Sequence, residues 1–112
     1  MLLSICIPTY NRFQQLDNCL NSILIASKKV SKFDFEVCIS DNNSEYSLNK
    51  IIDKYRNNFK INFNKNNENL GFAINGIKTV QMASGEYSWM IGDDDLILPE
   101  TFIKLENIFK NN

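Results

Sequence analysis

The stretch Tyr87-Ser88-Trp89-Met90-Ile91-Gly92-Asp93-Asp94-Asp95 is an apolar run of strand type that stops at a glycine and then presents three consecutive carboxylates. Like charges this close repel and raise one another's pKa unless a cation neutralises them. Oxygen-only ligands suit Mg²⁺ or Mn²⁺, and Mg²⁺ is commonly held by one or two carboxylates while substrate phosphates and water complete its octahedron. The stretch therefore reads as a β-strand that delivers half of a metal-diphosphate site to its carboxyl end. The plainer alternative is a solvated turn in which an Asp caps the following helix.

The segments before it place that strand in a fold. Leu2-Leu3-Ser4-Ile5-Cys6-Ile7, stopped by Pro8, has the pattern of a strand buried on both faces and is expected at the centre of the sheet. From Arg12 the apolar residues Phe13, Leu16, Leu20, Ile23 and Leu24 fall at helical spacing, with Asn11 as the expected cap. Phe35 to Ser40 reads as a second buried strand, ending in the turn-forming loop Asp41-Asn42-Asn43-Ser44. A second helix should bury Leu48, Ile51, Ile52, Tyr55 and Phe59. Lys60 to Asn64 alternates polar and apolar, as an edge strand does, and the polar loop Lys65 to Asn69 follows.

Phe72 to Ser84 reads as a third helix, with Ile74, Ile77, Val80 or Gln81, and Ala83 or Ser84 on its inner side. Gly76 weakens that helix but permits close packing, and Gly85 is its expected stop. After the acidic loop, Pro99 and Glu100 suit the first turn of a last helix whose stripe is Leu98, Phe102, Leu105 and Phe109. Four strand-helix units in succession imply an α/β fold: a parallel four-stranded sheet flanked by helices and joined by right-handed crossovers. Ligands of such sheets bind beyond the carboxyl ends of the strands, where strand order reverses. Thr9-Tyr10-Asn11-Arg12, Asp41-Asn42-Asn43-Ser44 and Asp93-Asp94-Asp95 all lie at such ends and are expected to converge on one crevice.

Composition excludes several classes. The 112 residues, 44% apolar, suffice for one domain, residues 1–112, with a single core. A net charge of −1 offers no basic field for nucleic acid or anionic lipid. No apolar run reaches the roughly 18 to 20 residues of a membrane span, and a cytoplasmic location is expected. Cys6, Cys19 and Cys38 are odd in number, lack metal-ligand spacing and sit among apolar neighbours, so buried free thiols are expected. With no histidine, acid-base and metal chemistry falls to carboxylates. The heavy use of Asn, Lys and Ile reads as codon bias.

Ile5-Cys6-Ile7-Pro8-Thr9-Tyr10-Asn11-Arg12, Ile39-Ser40-Asp41-Asn42-Asn43-Ser44, Asn69-Leu70-Gly71-Phe72 and Gly85-Glu86-Tyr87 leading into Asp93-Asp94-Asp95 together resemble the nucleotide-binding half of a family 2 glycosyltransferase. Ile39-Ser40-Asp41-Asn42 and Trp89-Met90-Ile91-Gly92 are similar to the abequosyltransferase-like branch, which builds bacterial O-antigen or related surface glycans. The resemblance implies a Rossmann-like GT-A donor domain and, for the intact protein, inverting, metal-dependent transfer of a sugar from a nucleotide diphosphate to a glycan or lipid-linked acceptor. It implies that Pro8 and Thr9 line the base and ribose pocket, that Asp41 accepts a hydrogen bond from the base, and that Arg12 approaches the diphosphate. Asn69 and Gly71 would shape the loop beside the nucleotide.

Aligning on Leu98-Pro99 puts Gly92 where the family's first metal-motif Asp often stands. Asp94 then becomes the expected metal ligand, with Asp93 and Asp95 as ribose, metal or supporting contacts. Ile74 stands where the related branch often carries an Arg. Tyr10, Trp89 and the cysteines are assigned to packing. In the family the acceptor-binding half and the catalytic base lie beyond the position equivalent to Asn112, so this chain is expected to be an inactive fragment whose exposed fourth strand promotes self-association. A sugar-1-phosphate nucleotidyltransferase is the rival enzyme, but it would want a glycine-rich loop after the first strand, which Pro8-Thr9-Tyr10-Asn11 is not. A non-catalytic nucleotide-sugar-binding domain is the other alternative.

Overall fold

The computed structural model describes residues 1–110; Asn111 and Asn112 lie outside the described residues. Four strands alternate with four helices: β1 (Leu3–Thr9), α1 (Phe13–Ser27), β2 (Phe35–Asp41), α2 (Asn49–Tyr55), β3 (Lys60–Lys65), α3 (Phe72–Met82), β4 (Tyr87–Met90) and α4 (Thr101–Lys110). The strands form one parallel sheet in the order β3-β2-β1-β4. As expected, β1 is interior and β3 is an edge. The chain steps from β1 through β2 to β3, then crosses back to place β4 on the other side of β1, so strand order reverses at the β1/β4 boundary.

Neighbouring parallel strands carry register partners on the same face. Leu3, Ile5 and Ile7 therefore share one face with Val37, Ile39 and Ile61, and these residues form a single core with Leu16, Cys19, Leu20 and Ile23 of α1, Ile52 and Tyr55 of α2, and Phe102 of α4. Ser4 and Cys6 share the opposite face with Glu36, Cys38, Ser40, Asn62 and Asn64. That face is largely polar, and among the described residues α3 and Ser84 just after it lie against it.

The inner side of α3 therefore differs from the apolar stripe expected of it. Asn75, Gly76 and Thr79 are buried, whereas Ile74, Ile77 and Val80 are exposed, Ile77 by 56%. Small polar side chains let the α3 backbone come within 8 Å, Cα to Cα, of β1 and β2. A helix lying that close has no room for an Ile or Val row underneath it. Gly76 is buried on that inner side, where an added Cβ would meet the Met90 side chain at 3.4 Å, an ordinary contact.

Four further expectations give way to other causes. Gly85 does not stop α3, which ends at an extended Ala83. The glycine is needed because a Cβ there would stand 2.8 Å from the Ser4 backbone nitrogen. Asn11 does not cap α1. It adopts φ 52° and its side chain accepts the Glu45 N–H at 2.8 Å, tying the loop after β1 to the loop after β2. The last helix starts at Thr101, beyond a turn at Pro99-Glu100 closed by Thr101 N–H to the Leu98 carbonyl, and Ile97 is buried in place of Leu98. Tyr10 and Trp89 are exposed rather than packed inside, because Tyr10 lies beyond the end of β1 and β4 has a single strand neighbour among the described residues. The three cysteines are buried and free.

Candidate functional site

The parallel strands bring three loops to one end of the sheet. The ladder runs past the strand ends: Asn42 N–H donates to the Thr9 carbonyl at 2.9 Å, and Asn66 N–H to the Asp41 carbonyl at 2.8 Å. On the other side of β1, Ile91 N–H reaches the Cys6 carbonyl at 3.0 Å and sets the acidic turn beside Thr9. A cleft of about 520 Å³ opens between these segments, within the usual size of a small-molecule site. Pro8 and Thr9 line it from the end of β1, Tyr10 and Arg12 from the loop after it, Asn42 from the loop after β2, Asn69 and Gly71 from the loop before α3, Phe72 and Asn75 from the start of α3, and Gly92, Asp93 and Asp94 from the acidic turn.

The three aspartates differ in environment. Asp93 is only 8% exposed, and Thr9 Oγ1 donates to its Oδ2 at 2.8 Å. Burial pushes its carboxyl above the ordinary value, and the neighbouring Asp94 charge adds to that, against the Thr9 hydrogen bond and the Arg12 cation. Arg12 lies 3.9 Å from Asp93 and 3.6 Å from Asp94, so the guanidinium bridges the two carboxylates loosely. Asp95 turns back on its own loop and takes the Gly92 N–H at 2.7 Å, fixing the turn. Behind the turn, burial together with Asp93, Asp95 and Asp94 pushes the Cys19 thiol up to about 12, so it stays protonated and unreactive.

The oxygen-only donor set of Asp93 and Asp94 suits a hard cation such as Mg²⁺ or Mn²⁺. Among the described residues no group of three or more His, Cys, Asp or Glu is arranged to hold a metal alone. A cation here would need oxygen ligands from a bound molecule as well.

Among the residues singled out from sequence, Pro8, Thr9, Arg12, Asn69, Gly71, Asp93 and Asp94 meet in this cleft, while Asp41 and Asp95 do not line it. Asp41 is fully buried: its Oδ1 accepts the Ser44 N–H and hydroxyl at 3.0 and 2.6 Å, and its Oδ2 has no partner among the described residues. Arg12 meets the carboxylates.

The sequence reading placed the segments holding Tyr10 and Asn42 at the crevice but gave no site role to Asn42, Asn75, Tyr10 or Phe72. Asn42 is the hub of a network of amides. Its Nδ2 donates to Asn69 Oδ1 at 2.8 Å and to the Gly71 carbonyl at 3.3 Å, and its Oδ1 accepts from Leu70 N–H at 2.8 Å and from Asn66 Nδ2 at 3.1 Å. Asn66 also donates to Asn75 Oδ1 at 2.9 Å, and Asn75 Nδ2 holds the Ser40 carbonyl at 2.9 Å. The density of Asn between positions 42 and 75 was the available cue.

The glycosyl transferase family 2 model matches residues 4–112. Abequosyltransferase RfbV of Salmonella typhimurium is 41% identical over 108 residues, which cover 95% of this chain and 32% of that protein. The crystal structure of S. aureus TarS 1-349 in complex with UDP superposes with a TM-score of 0.88 at 27% identity, over 99% of this chain and 32% of that one. The mannosyltransferase PcManGT of Pyrobaculum calidifontis, solved with GDP-Man and Mn²⁺, shares the fold with a TM-score of 0.74 at 18% identity, over 89% of this chain and 30% of that one. The chain thus spans about a third of the length of these relatives.

Proposed function

The chain belongs to glycosyl transferase family 2, and on that premise we propose that it is the donor-binding half of a longer, inverting glycosyltransferase of bacterial surface-glycan synthesis. The observation that carries this reading is the convergence of Thr9, Arg12, Asp93 and Asp94 with Asn69 and Gly71 on one cleft at the reversal of strand order. The ligand is a nucleotide-diphosphate sugar, as the UDP and GDP-Man complexes of the neighbours suggest. Pro8 and Thr9 take the ribose and base side. The unpartnered Asp41 Oδ2 supports that residue as an acceptor for a base N–H, once the base penetrates behind Thr9. Arg12 and Asp94 face the diphosphate.

In the reaction an acceptor hydroxyl gives its proton to a carboxylate base outside this chain. Its oxygen attacks the anomeric carbon in line, and the bond from that carbon to the diphosphate breaks to release a nucleoside diphosphate. Mg²⁺ or Mn²⁺ held by Asp94 together with phosphate oxygens would neutralise charge developing on the leaving group. Thr9 holds Asp93 in place, and Arg12 moves from carboxylate to phosphate as ligand enters. This chain alone is expected to bind donor without turnover, on the cytoplasmic side where nucleotide sugars are made. No described helix is long and apolar enough to cross a membrane.

Calorimetric titration with UDP, GDP, CDP and dTDP, each with and without Mn²⁺, tests the reading. One nucleotide should bind with a clear gain from Mn²⁺, and Asp94→Ala should remove that gain, an effect of about tenfold or more on Kd. Unchanged Mn²⁺-dependent affinity in Asp94→Ala would overturn the metal role, and binding of none of the four nucleotides would overturn the donor site.

A further inference from the structure

Asn42 lines the cleft, yet it has nothing left to offer a ligand. A carboxamide has two N–H donors and two acceptor lone pairs. All four are taken, by Asn69 Oδ1, the Gly71 carbonyl, Leu70 N–H and Asn66 Nδ2. Asn69 is the reverse case. Its Oδ1 is filled by Asn42 Nδ2 and by Gly71 N–H at 2.9 Å, while its Nδ2 has no protein partner among the described residues and the residue stands exposed at the cleft. Two donors converging on Oδ1 also fix which end of the Asn69 amide is the oxygen. The open end must then be the N–H₂.

We propose that Asn42 is a positioning residue, which locks the Asn69 amide with its N–H₂ end free so that Asn69 donates a hydrogen bond to an acceptor oxygen of the bound nucleotide-diphosphate sugar. The proposal rests on the donor-site reading above and deepens it. It assigns to this wall of the cleft an oxygen acceptor of the ligand, such as a phosphate, hydroxyl or base carbonyl oxygen, and excludes a ligand N–H there. The Asn66–Asn75 arm of the network braces the same loop against the Ser40 carbonyl of β2, so the donor is held by the sheet and not by the loop alone.

The test is a double-mutant cycle read by calorimetry with whichever of UDP, GDP, CDP or dTDP the unmodified chain binds. Asn69→Ala should weaken binding about tenfold, and Asn42→Ala by a similar factor. Asn42→Ala on the Asn69→Ala background should add less than about twofold, because Asn42 acts through Asn69. Multiplying losses, or unchanged affinity in Asn42→Ala, would overturn the proposal. Asn69→Asp guards against misfolding of the Asn42 variant. It sits at an exposed position, keeps the oxygen that Asn42 and Gly71 grip, and turns only the outward end into an acceptor. It should weaken binding more than Asn69→Ala, and equal or tighter binding would sink the assignment.

Amide hydrogen exchange without ligand separates the two readings. In Asn42→Ala, Leu70 and Gly71 should exchange at least about tenfold faster while β1 and β2 stay protected. That result survives even if no nucleotide binds, and its failure counts against Asn42 alone.

Discussion

Successive residues of β1 face two different kinds of interior. Ile5 and Ile7 look into a thick apolar layer shared with Leu16, Leu20, Ile23 and Phe102, while Ser4 and Cys6 look onto a thin layer where α3 lies close on Asn75, Gly76 and Thr79. The first side is held by area removed from water, which is non-directional and tolerates repacking. The second is held by hydrogen bonds between buried polar groups, which are directional and fix register and orientation. Glu36 is the centre of that second side at the foot of the sheet. Its Oε2 accepts from the Ser4 hydroxyl at 2.7 Å, the Ser84 N–H at 2.8 Å and the Ser84 hydroxyl at 2.7 Å. The amide network around Asn42 continues the same layer to the top, so the cleft wall is an extension of the polar side.

If this contrast is right, the largest loss of stability comes from the apolar side. Leu20→Ala should cost about 3 kcal/mol in urea unfolding, from lost transfer energy plus a cavity. A cost below about 1 kcal/mol would mean that the thick layer can collapse and is less closely packed than its burial implies.

On the polar side Glu36→Gln should cost about 1 to 2 kcal/mol at neutral pH, because the amide oxygen lacks the charge that strengthens the three hydrogen bonds and faces Lys60. Its pH dependence has a definite sign. Burial alone would raise the Glu36 carboxyl, but the Ser84 and Ser4 hydrogen bonds and Lys60 outweigh it and hold it below the ordinary glutamate value. The unfolded chain then binds the proton first, so this stabilisation is present above the ordinary value and fades as pH falls through the depressed one. The gap between wild type and Glu36→Gln should therefore narrow on acidification, and a gap that widens would reverse the assignment. The smallest effect is the sharpest test of which way α3 faces. Ile77→Gln should change stability by less than about 0.5 kcal/mol, since the side chain is already in water. A loss comparable to Leu20→Ala would mean that the helix is rotated.

The same contrast explains what could be read from the sequence. Apolar runs and 3.6-residue stripes gave the four strands, the α1 and α2 faces and the parallel α/β fold, because on the thick side burial and hydrophobicity coincide. For α3 they do not coincide. Periodicity pointed to Ile74, Ile77 and Val80, whereas the sheet face opposite, built from Ser4, Cys6, Glu36, Cys38 and Ser40, had room only for small polar residues. Every second residue of β1 and β2 showed that face, but a run read as buried on both sides hides it. In the site, charge marked Asp93 and Asp94, the end of β1 marked the segment that holds Arg12, and the family resemblance marked Asn69 and Gly71. Asn42, placed at the crevice only as part of its loop, and Asn75 drew no role of their own because their value lies in hydrogen bonds to partners 9 to 35 residues away, most of which no local window contains. Reading the Asn content as codon bias concealed the same group.

One feature of the sheet bears on how long the cleft lasts. β4 has four residues, pairs only with β1, and leaves its other border without a neighbour among the described residues. The acidic turn is mounted on that strand and is tied to the core through Ile91 and Ile97 at its two ends, so its persistence depends on a short one-sided pairing more than the rest of the sheet does. Were β4 to peel away, Asp93 would leave Thr9, Ile91 and Ile97 would be drawn from the apolar layer, and the cleft would cease to exist. Anything that zips onto the free border therefore lengthens the lifetime of the ligand-ready arrangement without touching a ligand.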